Sequence, residues 1–150
     1  MSNDRPPIER AAQLVAITFL LVGIAGFIPG ITSNLYDGLE LAGHEGDAEL
    51  LGIFHVSVLH NVVHLLFGVA GLALSRTRDG ARLFLLGGGA VYLVLWLYGL
   101  VIDKTSDANF VPLDAADNWL HFVLGVAMIG LALALGRRAD ARRRPAARAA

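Results

Sequence analysis

The chain has 150 residues, 55% of them hydrophobic and 17% charged, and no cysteine. This is too apolar for an ordinary soluble domain of its length, and it rules out disulfides, thiolate ligands and thiol redox chemistry. Its 12 Lys and Arg nearly balance 13 Asp and Glu, but the two signs occupy different parts of the chain.

The first apolar segment covers about residues 10–28, close to the ~20 residues that a helix needs to cross about 30 Å of hydrocarbon. Pro29-Gly30 reads as its stop. Ala25-Gly26-Phe27 lacks a small-x-small cleavage pattern, so a retained helix is expected and not a removed leader. An acidic loop follows with Asp37, Glu40, Glu45, Asp47 and Glu49, in which His44 reads as a solvated side chain. The second segment covers 53–74, and His55 near its start is expected to snorkel toward water. Arg76, Arg78 and Arg82 precede the third segment, 82–102, whose Gly87-Gly88-Gly89 run suggests a packing face or a flexible point. A loop with Asp103, Asp107 and Asp114 leads to the fourth, 115–135. Trp96, Tyr98 and Trp119 lie where an interfacial aromatic belt belongs.

The expected fold is therefore all-α, a four-helix transmembrane bundle over residues 1–136. A basic, disordered tail over 137–150 would touch anionic lipid heads. Apart from Lys104, the bases fall in the N-terminus, the middle loop and the C-terminus, which places both termini in the cytoplasm. So short a tail beside a membrane does not suggest nucleic-acid binding.

Residues 60–70 read His60-Asn61-Val62-Val63-His64-Leu65-Leu66-Phe67-Gly68-Val69-Ala70, and residues 117–127 read Asp117-Asn118-Trp119-Leu120-His121-Phe122-Val123-Leu124-Gly125-Val126-Ala127. Both obey [His/Asp]-Asn-x-x-His-x-x-x-Gly-Val-Ala, and each lies in the second helix of a hairpin. Two tandem helical-hairpin repeats are expected, related by an axis along the membrane normal. Positions i, i+4 and i+8 share a helix stripe, and a polar stripe at membrane depth should face the bundle interior. Face to face, the stripes would gather His60, His64, Asp117 and His121, flanked by Asn61, Asn118 and Asp114. Gly68, Gly71 and Gly125 are expected to let the two motif helices touch.

Three readings of that cluster are open. The first is an interhelical polar network in a packing or accessory subunit, since Asn and His commonly bind helices together in membranes. The second is a divalent metal site made by His60, His64, Asp117 and His121, with the asparagines orienting the ligands. Haem b held between His64 and His121 ranks behind an ion, because it needs the motif helices held apart. The third is a proton or ion path, against which the inner stretches 69–74 and 126–135 carry no ionisable residue. No nucleophile–base pair or nucleotide loop argues for an enzyme. The expected partners are the bilayer and either other membrane subunits or further copies of this chain.

Leu59-His60-Asn61-Val62-Val63-His64-Leu65-Leu66-Phe67-Gly68 together with Asp117-Asn118-Trp119-Leu120-His121-Phe122-Val123-Leu124-Gly125 resemble a bacterial family of four-span membrane proteins. That family is frequent in actinobacteria and is catalogued as Domain of Unknown Function 4383. The likeness runs from the first helix to the end of the fourth. It implies an integral protein of the bacterial cytoplasmic membrane, and it carries no activity with it.

Overall fold

Proline opens the first helix, where its missing N–H costs nothing and its fixed φ suits a helical turn. In the computed structural model, which describes residues 5–143, helix α1 runs Pro7–Ala25. Its buried residues Ile8, Ala12, Ala16, Phe19 and Gly23 recur every three or four positions and so form one stripe. Leu14, Leu21 and Ile24 on the other side are exposed. A soluble bundle would put polar residues there; hydrocarbon chains suit these.

The acidic loop contains structure that hydropathy did not predict. Strands β1 (Thr32–Ser33), β2 (Glu49–Leu50) and β3 (Phe54–His55) form an antiparallel sheet in that order, with helix α2 (Leu35–Gly38) between the first two. The β2–β3 turn holds Leu51 at φ 57° and Gly52 at φ 67°. Ala48, Leu50 and Val56 bury themselves with Val22 and Ala25, which seats this cap on the end of α1. The all-α expectation thus holds for the bundle and fails in this loop.

Helix α3 (Val58–Leu74) starts five residues later than the 53 expected, because β3 takes up the beginning of the apolar segment. A short apolar run does not by itself distinguish strand from helix. The Ser57 hydroxyl then accepts the His60 N–H at 3.1 Å and fixes the start of the helix. Ser57→Ala should cost about 1 kcal/mol of stability, read as a lowered unfolding midpoint in detergent. A short turn, capped by the Thr77 hydroxyl on the Gly80 N–H, leads into α4 (Arg78–Val101).

Helix α5 (Ala115–Arg143) follows a loop pinned by the Asn109 side chain, whose Oδ1 accepts the Leu113 N–H. It continues past the boundary expected at 136, and the last part of the expected tail, 144–150, lies outside the described residues. Among the described residues three helices are long and apolar enough to cross a membrane: Pro7–Ala25, Arg78–Val101 and Ala115–Gly136. The apolar α3, with 17 residues, is shorter.

The helices pair as two hairpins, α1 along α3 and α4 along α5, although the short turn is the one between α3 and α4. α1 also meets α4, and their side chains form the centre: Ala16, Phe19, Phe84, Leu85 and Tyr92, joined by Met128 from α5. α3 and α5 flank this centre without packing extensively on one another.

Candidate functional site

The Ser57 cap places the first motif at the very start of α3. His60 is buried and His64 half-buried, and their rings stack at 4.5 Å with 8° between planes. His64 Nδ1 lies 3.0 Å from the His60 carbonyl oxygen. A carbonyl can only accept, so Nδ1 carries the proton and Nε2 is left with the lone pair. Asn61 is 1% exposed and points to another helix: its Nδ2 donates to the Gly26 carbonyl at 2.9 Å, just past the end of α1. A Cβ on Gly26 would fall inside the Asn61 amide, so a glycine there is what admits the side chain.

The second motif opens α5. The Asp114 carboxylate accepts the Asp117 N–H at 2.8 Å, and Asp117, Asn118 and His121 are all buried. The Asn118 amide occupies the space that a Cβ on Gly99 of α4 would need. The His121 ring meets Tyr92 edge-on at 5.1 Å, while His64 lies 5.6 Å from Phe19. Phe19 and Tyr92 stack on each other at 5.3 Å. His64 and His121 thus flank this central aromatic pair, His60 stacks on His64, and His121 is within electrostatic reach of both.

Asp117 has different electrostatic neighbours, Asp114 and Lys104. Among the described residues no group of three His, Asp or Glu side chains is arranged to hold a metal ion. The expected set of His60, His64, Asp117 and His121 is therefore not drawn together as ligands of one ion. His60 Nδ1, His121 Nδ1, Asp117 Oδ2 and Asn118 Oδ1 are buried with no hydrogen-bond partner among the described residues.

The glycines do not bring the motif helices together as expected. Gly68 packs on Ala16 and Leu20 of α1, Gly71 on Ala16 and on Phe84 of α4, and Gly125 on Gly89 and Leu93 of α4. The reason is steric: the Phe19–Tyr92 stack joins α1 to α4 through the middle, so small residues are needed within each hairpin. Within the Gly87-Gly88-Gly89 run, Gly88 lies against Met128 and Phe67 and Gly89 against Gly125, while Gly87 faces open space.

Sequence reading missed the residues that support the motifs. Ala16, Phe19, Leu20 and Gly26 meet Gly68, His64 and Asn61, while Gly89, Tyr92, Leu93 and Gly99 meet Gly125, His121 and Asn118. The signal was present, because both sets of supporting residues follow the same internal spacing along α1 and α4.

At the capped end a cavity of about 270 Å³ opens over the start of α5, lined among others by His44, His55, Lys104, Asn109 and Asp114. His44 and His55 are thus wall residues of a recess, and His55 Nε2 pairs with Glu49 at 3.2 Å instead of standing free in water. Asp103 on the adjoining loop accepts the Thr105 N–H and hydroxyl, which hold its carboxyl below the usual range. Of the expected belt, Trp119 is exposed, Tyr98 donates to the Ala108 carbonyl, and Trp96 is packed against Phe122.

Long apolar helices, apolar outer flanks and a largely apolar core with a few buried polar side chains define the class: a helical bundle compatible with a membrane setting. Within that class the chain belongs to the family described as domain of unknown function (DUF4383), which it matches over residues 9–134. No curated protein and no solved structure matches it.

Proposed function

We propose that this is an integral protein of the bacterial cytoplasmic membrane, built from two tandem helical hairpins and acting as a packing or accessory subunit. Asn61 and Asn118 lock each hairpin, and the motif glycines bring its helices to contact distance. The observation that carries the reading is the hydrogen bond from Asn61 to the Gly26 carbonyl, made between helices by a side chain that is almost wholly buried. The equivalent seat of Asn118 on Gly99 supports the two-hairpin description. The separation of charge supports the orientation. Arg76, Arg78 and Arg82 cluster at one end and the acidic loops at the other, so both termini face the cytoplasm.

Asn61→Leu keeps similar volume and removes the clamp. It should lower stability by about 1 kcal/mol, within the range of interhelical side-chain bonds in membranes. Thermal unfolding of the purified protein in mild detergent checks this, with Asn118→Leu and the double variant completing the comparison. An Asn61→Leu protein as stable as the parent would remove the clamp from the account.

A further inference from the structure

The acidic cap carries one surface without charge. Residues 25–33 and 50–54, which the sheet brings together, contain no ionisable side chain. The Leu51 N–H donates to the Ile31 carbonyl at 2.8 Å, so the β2–β3 turn lies beside the chain that leaves α1. Leu51 is 65% exposed and Ile53 54%, and Phe27, Ile28 and Ile31 are exposed with them. The charges that border the turn meet each other: Glu49 and His55 are cross-strand neighbours whose side chains pair at 3.2 Å. Asp37, Glu40, Glu45 and Asp47 belong to the connection between β1 and β2.

The turn itself is not built for its leucine. Leu51 sits in the left-handed region at φ 57°, which disfavours a residue with a Cβ, and Gly52 follows at φ 67°. Glycine or asparagine would suit the backbone better, and an exposed leucine returns little burial for the strain. The use of that side chain therefore lies outside the chain.

Position tells what it meets. With 19 residues, α1 rises about 28 Å, close to the ~30 Å of a hydrocarbon core, so residues just past its end lie at the hydrocarbon boundary when it spans. The exposed Leu21 and Ile24 on its last turns lead into Phe27, Ile28 and Ile31, and the uncharged surface continues that outer flank. Trp119, exposed near the start of α5 at the same end, is a residue type that favours this level. Irregular backbone is costly in lipid when its polar groups are bare. Here the N–H groups of Leu51, Gly52 and Ile53 donate to the carbonyls of Ile31, Glu49 and Leu50, so the turn brings no free N–H with it.

We propose that the β2–β3 turn, with Leu51 and Ile53 at its tip, is a wedge that rests among lipid acyl chains beside the end of α1. The proposal rests on the membrane reading above and adds to it a lipid contact made by a strand turn.

The chain has no cysteine, so single cysteines can report on each surface. Leu51→Cys, Ile53→Cys, Leu21→Cys and Glu45→Cys are labelled with an environment-sensitive fluorophore in the full chain and placed in phosphatidylcholine vesicles. A fraction of the lipid carries a nitroxide quencher on the acyl chain near the headgroup. Leu21 reports the exposed flank of α1, and Glu45 the water-facing part of the cap. Labels at 51 and 53 should emit to the blue of the label at 45 and lose most of their fluorescence to the quencher, as the label at 21 does. Quenching at 21 with none at 51 and 53 overturns the wedge and leaves the membrane reading intact. No quenching at any of the four overturns both. A blue shift at 51 without lipid quenching assigns the surface to a protein neighbour, and equal quenching at 45 and 51 immerses the whole cap; either result overturns the wedge.

Discussion

Isoleucine at position 125 should prevent α4 and α5 from closing on each other. A Cβ at Gly125 would lie 2.9 Å from the Gly89 carbonyl oxygen and 2.8 Å from the Leu93 side chain. The reverse contact is equally tight, since a Cβ on Gly89 would lie 2.9 Å from the Gly125 oxygen. Leu93 could turn away, but a backbone oxygen cannot without moving its helix. Overpacking usually costs about 1–3 kcal/mol, and a branched side chain at a backbone contact belongs at or beyond the top of that range. The expected result is loss of a monodisperse, cooperatively unfolding species in detergent. Gly87→Ala is the matched control, because open space faces Gly87; it should leave the protein intact or slightly more stable. A folded Gly125→Ile protein with the parent's midpoint would contradict the close approach of these helices.

Phe19→Ala should destabilise the bundle by about 3–5 kcal/mol, the usual cost of emptying a buried aromatic site. Phe19 is 3% exposed and touches rings from two other helices: His64 at 5.6 Å, Phe67 at 4.8 Å and Tyr92 at 5.3 Å. Its loss would therefore loosen both hairpins at once. Tyr92→Ala should have a comparable effect, and the double variant should fall short of the sum because the two rings share a contact. Unfolding midpoints of the two single variants and the double variant measure the coupling. Strict additivity would mean that the stack does not join the hairpins.

Hydropathy located the four helices because a spanning segment is defined by composition alone, and composition is local. It placed the start of α3 five residues early, since Ile53 and Phe54 are as apolar in a strand as in a helix. The polar motif correctly marked His60, Asn61, Asp117, Asn118 and His121 as buried. What it did not give was their neighbours. Periodicity assigns a residue to a face of its own helix and says nothing about which helix meets that face. The motif alone therefore pairs Gly68 with Gly125, whereas each packs on the preceding long helix. The partners Gly26 and Gly99 were invisible to a search for chemistry-bearing side chains, because their contribution is the absence of one.

The unequal lengths of the helices set a demand on the surrounding lipid. With 17 residues, α3 spans about 26 Å at 1.5 Å per residue, whereas α4, with 24, spans about 36 Å. In the membrane setting proposed above, with about 30 Å of hydrocarbon, tilt would accommodate α4 and local thinning of the bilayer would accommodate α3. In that setting the mismatch falls on the helix that Ser57 caps and that carries His60 in its first turn, so the thickness of the membrane would help decide how deep the imidazoles lie.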